Sequence, residues 1–278
     1  LTQAAIFTNA AMAPKDAIQV DANLLPTAKN FLSILHGIAS DVKCLNNPWD
    51  IYQLNDWAIR EDIHLIKTPN PGADMLAANK FINPQEVFIE GSAQVNASAG
   101  PVYIGKNAAV MEGCMLRGPI AICDNALVKM GAKIYGGTTI GPNCVAGGEI
   151  KNAVFFAHSN KAHDGYLGDS VIGECCNLGA GTSNSNVKNN ASAVKYFSGK
   201  NDAGIVAGTK AGLLMGDYSR CAINTSFNTG TIVGVCCNIF GNEMPAKYSG
   251  NFLWGKERYI FEKAIADIDN WKKLKGGQ

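Results

Sequence analysis

Residues 160–186 read NKAHDGYLGDSVIGECCNLGAGTSNSN and place one histidine, His163, ahead of three asparagines, Asn177, Asn184 and Asn186. An unperturbed imidazole titrates near pH ~6.5, which suits it to accept and return a proton at neutral pH. An asparagine amide donates and accepts together, which suits hydroxyl-rich ligands. The plainer alternatives are a histidine that serves only the scaffold and asparagines that supply left-handed corner conformations. The choice between them rests on the whole group of polar residues around His163 rather than on any one.

Several other chemistries lack their residues. GNFLWGK (250–256) approaches a phosphate-binding loop, but Glu257 follows Lys256 where a magnesium-binding serine or threonine is required. His36 and His64 lie outside the repetitive region, and His158 and His163 have no third histidine at a zinc-ligand spacing, so no metal is expected. There is no G-x-S-x-G nucleophile elbow. Nine cysteines without a C-x-x-C give neither a disulfide framework nor a metal motif. A net charge of +1 with dispersed Lys and Arg makes nucleic acid a poor partner. No apolar run reaches the ~20 residues of a membrane span, and no export signal opens the chain, so a cytoplasmic protein without a membrane partner is expected. The chain begins at Leu1, as a piece of a longer product would.

The elements that must position His163 are legible as a six-residue rhythm. Ile104, Val110, Leu116, Ile122, Val128, Ile134 and Ile140 recur at every sixth position. Four residues after each stands Ala108, Cys114, Ile120, Ala126, Ala132, Thr138 or Cys144, mostly small. The rhythm returns at Tyr166, Ile172 and Leu178, then at Met215, Cys221, Phe227, Val233 and Ile239. A period of six fits neither a helix nor a meander and marks a hexapeptide β-helix, three hexads to a triangular coil. Cys114, Cys144, Cys176, Cys221 and Cys237 fall at inward positions and read as small core hydrophobes.

The rhythm is absent from 1–80, read as a mostly helical N-terminal segment or linker with helices at 21–39 and 46–66. Residues 81–245 form the β-helix, interrupted by an insertion at about 188–213 in which Val194–Phe197 and Ile205–Ala207 suggest a hairpin. Residues 246–278 end in a capping helix at about 255–274.

EIKN at 149, H-x-x-Y-L-G-D at 163 and N-L-G-A-G-T-x-x-x-N at 177 resemble the C-terminal acetyltransferase half of the bifunctional N-acetylglucosamine-1-phosphate uridylyltransferase and glucosamine-1-phosphate N-acetyltransferase family. INTSFNTGTIVGVCCNIFG (223–241) resembles the sugar nucleotidyltransferase variant of that family. The resemblance is strongest over 140–186. It implies a mainly β fold, a left-handed parallel β-helix, although crossovers between parallel strands are normally right-handed. It also implies a homotrimer with sites between subunits, acetyl-CoA as acyl donor and a small amino sugar as acceptor.

By matched position, the resemblance makes His163 the general base and Glu149 an acidic catalytic residue that orients the imidazole or favours its protonated form. Lys151, Tyr166, Asn177 and Asn186 become substrate contacts, and Ala180 the backbone that meets the thioester. Two positions depart from the pattern. Tyr135 stands where the family has a phosphate-binding arginine, and Ser192 stands where a lysine is expected. Two other readings follow from the same residues: the assembly module of a sugar-1-phosphate nucleotidylyltransferase, or a trimeric scaffold without activity.

Overall fold

A computed structural model describes residues 43–66, 86–199 and 202–274, with the backbone of short strands at 4–5, 19–20 and 79–81. The expected helix at 21–39, His36 and the side chain of His64 lie outside the described residues. The chain divides into a unit at 1–46, in which Ala4–Ala5 pairs antiparallel with Gln19–Val20, and a unit at 47–278.

The second unit is a left-handed parallel β-helix of about nine turns, with one helix at each end of its sequence. Its regular coils follow from the hexads. Leu127 pairs with Ala109 below and Val145 above, each three full hexads away along the chain. All seven aliphatic positions from Ile104 to Ile140 are at most 1% exposed, and the small residues between them are equally buried. Each fully buried aliphatic contributes about 1.5–3 kcal/mol, and the other faces of its own coil together with the coils above and below supply that burial. The five inward cysteines are buried as expected.

Corners need a left-handed backbone. Asn107, Asn125 and Asn143 supply it at one corner with φ of 55°, 58° and 57°, and Asn107 Nδ2 donates to Asn125 Oδ1 at 3.3 Å. The same corner continues with His158, Cys175, Tyr218 and Cys236, also at positive φ, where neither glycine nor asparagine stands. His158 is therefore a corner residue, and two of the four cysteines without an inward position are corner residues as well.

The strands that matter below are β1 (Lys133–Ile134), β2 (Glu149–Phe155), β3 (Asn160–Lys161), β4 (Tyr166–Ile172), β5 (Asn177–Leu178) and β6 (Ser183–Asn184). The insertion adds an antiparallel hairpin, β7 (Val194–Tyr196) with β8 (Ile205–Gly208).

Helix α1 (Asp50–Leu65) starts after Pro48, with Asp50 accepting from the Asn47 N–H at 2.8 Å. Its buried face carries Trp49 and Tyr52, which pack with Val154, Val171, Val194, Tyr196, Ala207 and Leu214. Trp49 stacks on Tyr196 at 5.0 Å, so α1 and the hairpin form one layer over the outer face of β2 and β4. Asn55 ties α1 to the coil edge by donating to Gly137 O at 2.7 Å and accepting from Thr139 Oγ1 at 3.0 Å.

Helix α2 (Phe261–Leu274) begins later than the sequence suggests, because Leu253–Trp254 and Glu257–Arg258 first form a tight antiparallel pair. Trp271 lies 4.6 Å over the Arg220 guanidinium, which seats α2 against the solenoid.

Candidate active site

The loop between β3 and β4 turns a corner with His163 exposed at its tip. Register fixes what lies above and below it. Asn160 pairs with Asn177, so Ala180 occupies the equivalent corner one coil on, and Gly181 N donates to Asp164 O at 3.1 Å. One coil back the corner is Gly148 at φ +74°, where a Cβ would come within 2.7 Å of Gly165 O and 2.9 Å of His163 O. Glycine there lets the His163 loop settle onto the coil beneath it.

Beyond the corner, β2 and β4 carry a polar ladder. Glu149 pairs with Tyr166, and Lys151 with Gly168. Glu149 N donates to Gly165 O at 3.1 Å, which holds its strand against the His163 loop. Below, Lys133 pairs with Glu149, and the Lys151 ammonium lies 6.0 Å from the Tyr135 ring. Tyr135, where the resemblance expects an arginine, faces Lys151, with Lys133 two residues away on the same exposed side of its strand.

The Y-L-G-D motif has a packing reason. A Cβ at Gly168 would come within 2.2 Å of Tyr166 Oη, so the missing side chain lets the phenol lie along its own strand. That hydroxyl accepts from Asn186 Nδ2 at 3.1 Å. Burial, and next the charge of Asp169, push the phenol's ionisation upward and keep it a neutral hydroxyl at physiological pH. Tyr166 is therefore not an inward hexad residue, as the rhythm had it. Leu167, 1% exposed, takes that place.

The structure thus brings Glu149, Lys151, Tyr166 and Asn186 to one face, with His163 and Ala180 at its edge. Asn177 lies before the corner, on the adjoining face, between Asn160 and Arg220. Asn184 is no corner residue: it is 5% exposed, accepts from Gly168 N at 2.8 Å and donates to Gly168 O at 3.0 Å, completing the ladder where β4 lacks a strand partner. Among the described residues no group accepts from the Ala180 N–H, while those of Gly179 and Gly181 are both paired. A free backbone donor beside His163 fits the carbonyl of an acyl thioester. No group of three or more His, Cys, Asp or Glu among the described residues is placed to hold a metal ion.

Sequence reasoning passed over three members of this site. Asp169, 6% exposed, accepts from Asn152 Nδ2 at 2.7 Å and from Asn186 Nδ2 at 2.5 Å. Asn152 and Asp169 stack at the second corner of the coil with φ of 50° and 49°. Lys161 points into the solenoid, 1% exposed, and its ammonium donates to His163 O at 2.6 Å and Gly147 O at 3.3 Å. Desolvation pushes the Lys161 pKa down to about 8, against the opposing pull of Asp164. Its signal was present in the sequence: Phe155, Lys161 and Leu167 follow one another at six-residue intervals, with a cation at the inward position.

No family model matches the chain. It is 30% identical over 231 residues to the bifunctional protein GlmU of Methanocaldococcus jannaschii, a match covering 82% of this chain and 50% of that protein. It is 37% identical over 86 residues to the GlmU protein of Trichodesmium erythraeum, covering 30% of this chain and 18% of the relative. The chain spans about half the length, at most, of the curated relatives it matches. Among solved structures, a hexapeptide transferase family protein from Anaplasma phagocytophilum is 18% identical with a TM-score of 0.27, over 71% of this chain and 90% of that one. That superposition is poor, and the parallel solenoid is established by the chain's own strand register. The family resemblance read from the sequence is borne out by the curated relatives.

Proposed function

We propose that the chain is an acyl-CoA-dependent N-acyltransferase that moves an acetyl group from acetyl-CoA to an amino sugar, either a sugar phosphate or a nucleotide-linked sugar. The observation that carries this reading is the stacked corner: His163 one coil from Ala180, with the Glu149, Lys151 and Tyr166 ladder and Asn186 directly beyond it. Similarity to the GlmU proteins supports it. His163 takes a proton from the acceptor amine as its nitrogen attacks the thioester carbonyl carbon. The N–H of Ala180 stabilises the charge that gathers on the carbonyl oxygen. The C–S bond then breaks, and His163 returns the proton to the departing thiolate. No covalent enzyme intermediate is needed, in keeping with the missing nucleophile.

Glu149, on the strand held against the His163 loop, serves as the acidic residue that orients the imidazole. Tyr166 and Asn186 hold hydroxyls of the acceptor, with Asn177 from the adjoining face. Lys151, joined by Lys133, answers a phosphate as a point charge in place of the absent arginine. We place the site at an interface of a homotrimer, because the His163 corner is exposed in a single chain and direct transfer calls for a drier setting. The setting is the cytoplasm, where acetyl-CoA and sugar nucleotides are both present. No helix among the described residues is long and apolar enough to cross a membrane.

The test is chromatographic detection of free CoA and acetylated product, with glucosamine-1-phosphate and a panel of nucleotide amino sugars as acceptors. Acceptor-dependent CoA release supports the reading. An intact oligomer without turnover across the panel favours the scaffold.

A further inference from the structure

Asn186 has one amide nitrogen and two partners for it. Its Nδ2 donates to Asp169 Oδ2 at 2.5 Å and to Tyr166 Oη at 3.1 Å. Which end of an asparagine amide is nitrogen is ordinarily an assignment, but here chemistry decides it: an ionised carboxylate only accepts, so the amide end that faces Asp169 must be the NH₂. Both hydrogens are then spent, and Oδ1 is the free end. Among the described residues nothing donates to it.

Asp169 itself is held by side chain and backbone. Its second oxygen accepts from Asn152 at 2.7 Å, its carbonyl accepts from Gly212 N at 2.9 Å, and its backbone sits in the left-handed corner. Tyr52 of α1 and Tyr196 of the hairpin lie close enough for the Asp169 charge to add to the rise that burial imposes on both phenols, Tyr52 to about 12. Gly212, at the end of the insertion, donates to the Asp169 carbonyl and accepts from Tyr196 Oη at 3.3 Å, and with Asp169 6% exposed a charge-assisted hydrogen bond to it is strong.

We infer that Asp169 is a positioning residue that sets the polarity of the acceptor site: by holding the Asn186 nitrogen it leaves Oδ1 to the ligand, so the site selects an acceptor bearing a hydroxyl or N–H donor there. Tyr166, which accepts from Asn186, keeps its own O–H free to donate, so the adjacent ligand atom must accept. The proposal rests on the reading of Asn186 and Tyr166 as acceptor contacts. It assigns the insertion a task that the regular coils do not need, which is to hold Asp169 by its backbone.

Asp169→Asn tests it with little change of shape, because asparagine tolerates the same left-handed conformation. The amide of Asn186 loses its anchor and can turn either end outward. The acceptor KM is expected to rise about tenfold, with kcat and the acetyl-CoA KM changed less than about twofold. Preference for whichever amino sugar of the panel is turned over, glucosamine-1-phosphate first, over its deoxy analogues is expected to shrink by a similar factor. The exchanged double variant, Asp169→Asn with Asn186→Asp, restores a nitrogen-to-carboxylate bond, keeps an acceptor atom toward the ligand and returns the KM to within about threefold.

In nitrogen-edited NMR spectra the Asn186 side-chain amide pair should exchange slowly with water in the wild type and rapidly in Asp169→Asn. An unchanged acceptor KM, or an amide pair that exchanges no faster in the variant, would overturn the positioning role while leaving the transferase intact. A wild type that transfers nothing would instead overturn the functional reading and the ligand half of this proposal with it.

Discussion

The coils over 102–146 and those over 149–186 are built on the same ladder to different lengths. In the first, pairing advances by three full hexads at each step, from Ala109 to Leu127 to Val145. In the second, Val145 pairs with Asn160 and Asn160 with Asn177, and both steps fall short of three hexads, the first by more than the second. Shortening the coil changes its interior and its corners together. Where the regular coils have an inward valine or isoleucine, the shortened one has Lys161. Where they turn on asparagine or glycine, it turns on Asp169. The regular coils supply rigidity through repetition, and the site is the place where repetition is given up.

If that division holds, variants in the two regions should fail in opposite ways. His163→Ala should lower kcat/KM by about 10²–10⁴, the range for loss of a general base, with thermal stability unchanged because the side chain is exposed. Ile134→Ala, in a regular coil and 1% exposed, should cost about 2–5 kcal/mol in denaturant unfolding. The kcat of the folded fraction should stay close to that of the wild type.

Gly168→Ala falls between the two. A methyl group there meets Tyr166 Oη, so the phenol must swing off its strand. The acceptor KM should rise about tenfold, with a stability loss of about 1 kcal/mol or less, since a half-buried ring has room to move.

The regular region was legible because one side-chain property repeats there, and every inward aliphatic from Ile104 to Ile140 could be named. The corner and its partners were legible by motif, not by rhythm. Tyr166 was assigned inward because it fell on the six-residue count, although a shortened coil moves the inward place to Leu167. Asp169 stood in the Y-L-G-D motif, but its role was hidden for a physical reason: a carboxylate that serves a neighbouring amide shows only once the corner at Asn152 and the layer from α1 are in place. The influence of Asp169 on Tyr52 joins parts of the chain that lie far apart in sequence. The insertion was recognisable as a hairpin, but its packing on Trp49 was not.

Lys161 offers a smaller test that depends on pH. Burial lowers its pKa to about 8 from an ordinary 10.5. The folded chain therefore releases the proton first, and between about pH 8 and 10.5 the unfolded chain binds more protons, so this residue makes stability rise with pH across that window. Cysteines whose pKa desolvation raises, Cys176 to about 12 and Cys123 to about 11, act in the opposite sense above about pH 9, so the comparison must be a difference between proteins. Lys161→Met should lose the rising component, seen as a wild-type minus variant unfolding free energy that climbs from about pH 8 to about pH 10.

The smallest expected effect is at Tyr135→Arg, which restores the cation of the family pattern beside Lys151. It should lower the KM of a phosphorylated acceptor about threefold and leave an unphosphorylated one unaffected.

The most direct test of the whole account is acceptor-dependent CoA release by wild type and by His163→Ala, measured side by side on samples matched for oligomeric state and melting temperature. The account predicts turnover in the wild type and its loss in the variant with no change in melting. Equal turnover in the two proteins would contradict it, leaving the His163 corner a structural turn in an enzyme whose base lies elsewhere.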